Sequence, residues 1–211
     1  DTAIVPTVTF LASANAIRMT GAKVFFADVD PESGLMTDAS FEEAIALSEK
    51  YRREVKAAVP VHMNGRVCDM RSLSNVAKKN NIALIEDACH ALGVPGAGAN
   101  AHSDFACFST HPVKMIATGE GGVVTTKDEA AANRLRKLRS HGMIHEAGEL
   151  LQREEGFENG GKRPWYYEMQ SLGYNYRMSG LNAALGESQL KKLDGFIRRR
   201  RAIAALLLLA A

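Results

Sequence analysis

Two apolar segments of the chain run directly into residues whose side chains can do acid–base and nucleophilic chemistry. Residues 82–85 lead into the run EDACH at 86–90, and residues 105–108 lead into the run STHPVK at 109–114. A parallel α/β sheet binds its ligands outside the carboxyl ends of its strands. If both apolar segments are strands of such a sheet, the two runs mark a candidate site.

Each ionisable residue in these runs also has an ordinary explanation. Asp87 is equally well explained as a helix cap, since aspartate is a favoured capping residue. His90 alone is typical of a structural histidine, and Lys114 alone is typical of a solvated surface lysine. The glycine cluster at 119–122 lacks the strand-then-helix context of a dinucleotide-binding or P-loop motif, so it predicts a tight turn.

Taken together, the residues favour pyridoxal-phosphate chemistry. That chemistry needs a lysine amine to hold the cofactor aldehyde as a Schiff base and an acid beside the pyridine nitrogen. Hydroxyls and backbone N–H groups must also hold the phosphate. Lys114, Asp87 and Ser109 can supply the amine, the acid and one phosphate donor. The sequence does not by itself bring them together, so their convergence is a hypothesis.

The elements that must position these residues are short apolar runs alternating with helical patterns. This alternation predicts an α/β fold with a mainly parallel sheet and helices on both faces, and most runs are apolar enough to be buried on both sides. The predicted strands are residues 3–5, 23–29, 57–61, 82–85, 105–108 and 123–126. The predicted helices are 41–54 capped by Ser40, 70–79 capped by Asp69, 129–139 opened by Asp128, and one long helix from Gly180 opened by Ser179. The polar segment 146–167 breaks the rhythm and predicts a long loop.

Composition narrows the class of protein. The chain has 211 residues, 46% of them hydrophobic, and a net charge of +2, which gives no electrostatic case for nucleic acid or an anionic membrane. Three cysteines without a Cys-x-x-Cys pair favour a reducing cytoplasm. The leucine run at 206–209 is far short of the roughly 20 residues of a membrane span. Both ends of the chain are abrupt, so we expect residues 1–211 to be the large domain of a longer protein.

Five segments of the chain carry a resemblance to a known family. Residues 108–122, FSTHPVKMIATGEGG, resemble the lysine signature of the DegT/DnrJ/EryC1/StrS sugar aminotransferases, and residues 86–93, EDACHALG, resemble their cofactor-aspartate motif. Residues 5–16 match the stretch that supplies the ring-stacking aromatic, and residues 172–179 and 183–186 match the segment leading into a long helix. The resemblance covers nearly the whole chain in order.

This resemblance implies a large domain of the pyridoxal-phosphate-dependent transferase fold (fold type I) and roles for six residues. Lys114 would carry the cofactor and later move the proton between substrate carbon and cofactor. The other five would bind the cofactor: Asp87 at the pyridine nitrogen, His90 near the phenolic oxygen, Ser109 at the phosphate, Phe10 over the ring face and Asn175 at the phosphate of a neighbouring subunit's cofactor. The last role implies a homodimer with a shared active site.

The resemblance also implies a reaction. L-glutamate would donate an amino group to a nucleotide-linked 4-keto-6-deoxy sugar, and residues 60–65, 140–142 and 165–170 resemble most the subgroup that aminates C4 of UDP-linked sugars in pseudaminic acid synthesis. The chain departs from the family pattern at Thr110 and Ala117, where an aromatic residue and a threonine are expected. The resemblance also implies an upstream phosphate loop and a smaller C-terminal domain, which we expect to lie outside residues 1–211.

Three other functions compete with this reading. A non-catalytic family member would bind cofactor or sugar nucleotide without turnover, which the presence of Lys114 and Asp87 disfavours. A sugar dehydratase would resemble relatives in which histidine replaces the lysine. A metal hydrolase would use His62, Asp87 and His90, but no pair of residues has the spacing of metal ligands.

Overall fold

One six-stranded sheet organises the chain in the computed structural model, which describes residues 1–209. Its strands are β1 (Thr2–Pro6), β2 (Lys23–Ala27), β3 (Val55–Ala58), β4 (Ala83–Asp87), β5 (Phe105–Ser109) and β6 (Gly122–Thr125). They lie in the order β2-β1-β3-β4-β5-β6. All neighbours pair in parallel except β5 and β6, which are antiparallel. The predicted mainly parallel α/β sheet is therefore confirmed.

Three helices cover the two faces of this sheet. They are α1 (Ala12–Met19), α2 (Asp38–Lys50) and α3 (Met70–Lys79). Ile4 of β1 packs with Phe41 of α2 and Leu73 of α3, whereas its neighbour Val5 packs with Ile17 of α1. Successive side chains of a strand point to opposite faces, so α2 and α3 lie on one side and α1 on the other. Burial on both faces holds for β1 and is wrong for the edge strands β2 and β6, which are partly exposed.

The chain divides into two compact units, which are residues 1–127 together with the chain from Gly180 onward, and residues 128–179. The second unit contains α4 (Glu129–Leu138), β7 (Met143–Ile144), α5 (Arg153–Gly156), β8 (Phe157–Glu158), β9 (Gly161–Lys162) and β10 (Glu168–Met169). The segment 146–167, predicted as one long loop, therefore includes a short helix and a two-stranded hairpin.

Two helix predictions need correction. The N-cap of α2 is Thr37 and not Ser40: the Thr37 hydroxyl accepts from the Ser40 backbone N–H at 3.2 Å, and Ser40 returns a bond to the Thr37 N–H. This reciprocal pair is a capping box, which satisfies two unpaired amides at the helix start. The long helix from Gly180 is two helices, α6 (Gly180–Leu190) and α7 (Leu193–Leu209). The caps Asp69 and Asp128 are where the sequence placed them.

Candidate active site

Asp87 is the last residue of β4, and its carboxylate is fixed at both oxygens. Oδ1 accepts from the Cys89 backbone N–H at 3.1 Å, and Oδ2 accepts from the Ser13 hydroxyl at 2.7 Å. The backbone of Asp87 is also fixed, since its N–H donates to Pro60 and its carbonyl accepts from His62. Residues 88–92 form turns and no helix, so the helix-cap explanation of Asp87 does not apply.

Lys114 lies in the loop that joins the antiparallel strands β5 and β6. Two buried threonines close the base of this loop, because the Thr110 and Thr118 hydroxyls lie 2.7 Å apart and the Thr118 N–H donates to the Thr110 carbonyl at 2.9 Å. Within the loop, the Lys114 N–H donates to the His111 carbonyl at 2.9 Å. Thr110, one of the departures from the family pattern, thus has a structural partner eight residues away.

His90 lies under the influence of both Asp87 and Lys114. Burial and the positive charge of Lys114 lower the pKa of His90 against the opposing negative charge of Asp87. The imidazole is therefore neutral near pH 7. Its Nδ1 accepts from the Asn64 backbone N–H at 3.4 Å, so the proton of the neutral ring resides on Nε2, which is then the donor.

Cys89 is subject to the same two charges as His90. Burial, followed by the hydrogen bond and charge of Asp87, raises the pKa of the Cys89 thiol to about 12, while the charge of Lys114 acts in the opposite direction. Burial and the charge of Asp87 likewise raise the pKa of Cys107 to about 11. The acid and the amine therefore act on shared neighbours, although Asp87 and Lys114 are 27 positions apart in the sequence.

Ser109 and Phe10 lie at the borders of this group. Ser109 ends β5, and its hydroxyl oxygen accepts from the His111 backbone N–H at 3.3 Å, which leaves the hydroxyl hydrogen available to an anion. Phe10 lies just before α1 with 65% of its surface exposed. It is tied to Asp87 through the neighbouring residues Thr9 and Ser13, whose hydroxyls are 2.8 Å apart.

Asn175 belongs to the second unit and not to the unit that carries Asp87 and Lys114. Its side chain is exposed, and its backbone forms an isolated bridge with Ser140. The role of Asn175 in a neighbouring subunit's site stays a prediction.

Glu86, beside Asp87 in sequence, stabilises the fold through buried hydrogen bonds. It is 2% exposed and accepts from His62 Nε2 at 3.0 Å, from the Gly98 N–H at 2.9 Å and from the Ser103 hydroxyl. Burial alone would raise the pKa of Glu86, but the bonds from His62, Ser103 and Gly98 outweigh it and lower that pKa. His62 Nδ1 accepts from the Cys68 N–H at 3.3 Å, so both ring nitrogens have protein partners. This leaves His62 without a free nitrogen for a metal ion.

The residues that the sequence reasoning missed are supporting ones. Ser13 was not singled out because its partner Asp87 is 74 positions away. The Thr110–Thr118 pair was equally hidden, since Thr110 was noted only as a departure from the family pattern. In both cases the only sequence signal was a small hydroxyl residue near a recognised motif.

The donor set fits pyridoxal phosphate. A carboxylate held at both oxygens can face a pyridinium nitrogen, and a partly exposed lysine acts on the same neighbours. The neutral His90 and the Ser109 hydroxyl offer donors, and the exposed Phe10 ring offers a stacking face. Residues 1–209 contain no group of three or more His, Cys, Asp or Glu side chains that could hold a metal ion.

None of the helices in the described part of the chain has both the length and the apolar character needed to cross a membrane.

Comparison with known proteins identifies relatives over the full described length. Residues 1–209 match the model of the DegT/DnrJ/EryC1/StrS aminotransferase family. The spore coat polysaccharide biosynthesis protein SpsC of Bacillus subtilis is 38% identical over 97% of this chain and 49% of its own length. The UDP-4-amino-4,6-dideoxy-N-acetyl-beta-L-altrosamine transaminase of Campylobacter jejuni is 39% identical over 93% of this chain and 48% of its own length.

Among solved structures, PseC of Helicobacter pylori, an aminotransferase involved in the biosynthesis of pseudoaminic acid, superposes with a TM-score of 0.76. It is 28% identical and aligns with 92% of this chain and 46% of its own. The chain therefore spans about half the length of the curated relatives it matches.

Proposed function

Since the chain belongs to the DegT/DnrJ/EryC1/StrS aminotransferase family, we propose that it is the large, cofactor-binding domain of a pyridoxal-phosphate-dependent sugar aminotransferase. The observation that carries the proposal is that Asp87 ends β4 opposite Cys107 of β5, the strand that leads into the Lys114 loop, with its carboxylate held at both oxygens. An acid and an amine, the two groups that this chemistry requires, therefore follow neighbouring strands of the sheet.

Each residue has a defined task in this proposal. When bound, the cofactor supplies an electron sink that stabilises negative charge on the carbon from which a proton is removed. Asp87 keeps a proton on the ring nitrogen by pairing with it as a carboxylate. Lys114 would hold the cofactor through its amine, and the free amine would move a proton at the substrate carbon.

The remaining binding residues orient the cofactor. His90 donates from Nε2 toward the phenolic oxygen, because its Nδ1 already accepts from Asn64. The Ser109 hydroxyl donates to the phosphate, and Phe10 covers one ring face. Asn175 reaches the phosphate bound to a neighbouring subunit, which makes the active enzyme a homodimer with shared sites.

For the substrates, we propose L-glutamate as the amino donor and a UDP-linked 4-keto-6-deoxy sugar as the acceptor, in a pathway of the pseudaminic-acid type. The support is the transaminase activity of the Campylobacter jejuni relative and the biosynthetic pathway of the Helicobacter pylori aminotransferase. Three free cysteines, Cys68, Cys89 and Cys107, support a cytoplasmic enzyme.

Borohydride trapping on the full-length protein tests the proposal. After loading with pyridoxal phosphate, reduction and peptide mass mapping, we expect a pyridoxyl adduct on the Lys114 peptide. Lys114→Arg, which keeps the positive charge, is expected to abolish that adduct. Lys191→Arg changes an exposed lysine paired with Glu187 and is expected to leave it intact. A folded, cofactor-supplied protein with no Lys114 adduct would contradict the aminotransferase assignment and favour the non-catalytic binder.

A second measurement addresses turnover and substrate. With L-glutamate present, the cofactor spectrum of an aminotransferase changes and 2-oxoglutarate appears, whereas a binding protein gives neither. The aminated product from UDP-linked and GDP-linked 4-keto sugars, compared at equal concentration, then identifies the nucleotide.

A further inference from the structure

The Ser13 side chain joins the first turn of α1 to the acid at the end of β4. It is 8% exposed, and its hydroxyl donates to Asp87 Oδ2 at 2.7 Å. We propose that Ser13 is a positioning residue, which holds the Asp87 carboxylate in the orientation that receives the cofactor's ring N–H. This inference rests on the proposed function, in which Asp87 faces that nitrogen.

The number of hydroxyl hydrogens determines the direction of the hydrogen bonds between Thr9, Ser13 and Asp87. An ionised carboxylate only accepts, and a serine hydroxyl has a single hydrogen to give. Because Ser13 gives its hydrogen to Asp87, the 2.8 Å contact between the Thr9 and Ser13 hydroxyls has Thr9 as the donor. Thr9 also lies 3.2 Å from the Phe10 carbonyl, its alternative acceptor. A donor chain therefore runs from Thr9 through Ser13 to the acid.

The geometry leaves the carboxylate oriented but not saturated. Cys89 N–H holds Oδ1 and Ser13 holds Oδ2, so rotation about the bond that carries the carboxyl group breaks one of the two bonds. An ionised carboxylate has about four lone-pair sites, so sites remain for a ligand N–H. Removal of the Ser13 hydroxyl leaves Oδ2 without this donor, and the carboxylate is then held through the backbone N–H of Cys89.

The same series of hydrogen bonds links Asp87 to the segment that carries the exposed Phe10 ring. Thr9 and Phe10 are adjacent, and Ser13 N–H donates to the Phe10 carbonyl at 3.2 Å. Ser13 therefore contacts Asp87 with its side chain and the Phe10 backbone with its main chain. One residue sets the relation between the acid and the segment proposed to cover the ring.

A pair of cofactors separates positioning from general support of the fold. Pyridoxal phosphate has a ring nitrogen for Asp87 to hold, whereas its 1-deaza analogue has C–H at that position. For the full-length Ser13→Ala variant, we expect the dissociation constant of pyridoxal phosphate to rise about tenfold, the scale of one hydrogen bond to a charged group. The dissociation constant of the 1-deaza analogue should stay within about twofold, since it has no N–H for the carboxylate to receive.

Three variants complete the comparison. Ser13→Thr keeps the hydroxyl and should bind both cofactors like the wild type. Ser13→Cys keeps the size with a weak donor and should show the same selective loss as Ser13→Ala, which preserves the test if the alanine variant does not fold. Ser48→Ala removes another buried serine hydroxyl, bonded to Ile45 and Arg53, and should change neither constant.

Failure of this inference is distinct from failure of the proposed function. If wild-type protein gives no Lys114 adduct, the proposed function falls and this inference falls with it. If the adduct forms but Ser13→Ala and Ser13→Cys weaken the binding of both cofactors equally, or of neither, the positioning role is overturned.

Discussion

At the scale of single residues, the environment of Asp87 controls the reactivity of its neighbours. Burial raises the pKa of Cys89 to about 12 and that of Cys107 to about 11, and the charge of Asp87 adds to both shifts. Thiolates are the reactive form of cysteine, so these thiols are protected at ordinary pH although they border the site.

We therefore expect slow alkylation of Cys89 and Cys107 by iodoacetamide in the native protein at pH 8. The rate should be at least about a hundredfold below that of the urea-unfolded chain, because the thiolate fraction falls by that order. Peptide mass mapping of both samples measures the ratio. Native and unfolded rates that agree within a few-fold would mean that the thiols are neither buried nor under the influence of Asp87.

His90 offers a matched pair of substitutions with opposite expected effects. Its pKa is lowered from 6.5, first by burial and then by Lys114, against the charge of Asp87. Lys114→Met should move the titration midpoint of His90 upward, and Asp87→Asn should move it downward, as followed by NMR of the ring protons. Shifts of the same sign in both variants would be incompatible with this arrangement of charges.

The sign of the linkage for His90 follows from the same shift. A histidine whose folded pKa is below its unfolded pKa binds fewer protons in the folded state, so it contributes stability above the unfolded pKa and loses it as pH falls. The contribution should decline below about pH 6.5, the ordinary value for histidine.

Sequence reasoning reached the residues with distinctive chemistry and missed their supports. Lys114 and Asp87 were singled out because together they can supply an amine and an acid, and because both lie in recognisable motifs. Ser13 was not, because a serine carries no signal of a partner 74 positions away. The cap of α2 was misplaced from Thr37 to Ser40 because both members of a capping box have hydroxyl side chains.

At the scale of elements, the Lys114 loop is held by a pair of buried hydroxyls. Thr110 and Thr118 are 3% and 2% exposed, and Thr118 Oγ1 is also within 3.0 Å of the Glu120 carbonyl. Their contact closes the loop at the point where β5 ends and the chain turns back into β6.

Thr118→Val should destabilise the fold by about 1–2 kcal/mol, because it removes a hydroxyl and leaves that of Thr110 without its partner. It should also reduce the yield of the borohydride adduct on Lys114, since the loop that carries the amine is less well held. Urea unfolding and peptide mapping measure the two effects. As a control, Thr20→Val removes a hydroxyl bonded to Ile17 at the end of α1 and should leave the adduct yield unchanged.

The order of the strands and of most helices was readable from the sequence, but α1 was not predicted and the places where elements stop were less clear. Strands of continuous apolar residues alternate with capped helices, and the caps Asp69 and Asp128 mark true helix starts. The break between α6 and α7 has no proline to announce it, since residues 191 and 192 are both lysine. The hairpin of β8 and β9 was missed because each strand has only two residues.

At the scale of the whole molecule, Glu86 joins parts of the chain that are far apart in sequence. It receives bonds from His62 after β3 and from Gly98 and Ser103 between β4 and β5. Replacing the Glu86 carboxylate by a neutral amide weakens these bonds, because hydrogen bonds to a charged group are stronger than those to a neutral one.

Glu86→Gln should therefore lower the free energy of unfolding by about 2 kcal/mol at pH 7, the scale of a hydrogen bond to a charged group. Glu54→Gln, which breaks an exposed ion pair with Lys56, should cost less than about 1 kcal/mol. Because the folded pKa of Glu86 is depressed, its stabilisation is present above the unfolded value near 4.5 and is lost as pH falls further. Urea titrations from pH 3.5 to 7 should show the two curves of wild type and Glu86→Gln converging at the acid end; a gap that widens there would contradict the assignment.

Fold class was the most predictable property at this scale, because strand–helix alternation leaves few arrangements other than a parallel sheet. Relations between distant parts were not, and the division into two compact units left no trace in composition beyond the break in rhythm near residues 146–167. The antiparallel strand β6 was likewise indistinguishable from its parallel neighbours, since apolar runs carry no sign of direction.

Because Glu86 and Asp87 are adjacent at the end of β4, the register of this strand determines where both carboxylates lie. Neighbouring strand residues point to opposite faces, so one carboxylate enters the bonds to His62 and the other faces Ser13. A slip of β4 by one residue exchanges the two faces, which sends the shorter acid to the buried site and the longer one to the crevice. The two side chains differ by one methylene and are both needed where they are. A misaligned sheet would therefore lose the bond between Glu86 and His62 and the bond between Asp87 and Ser13 in the same error.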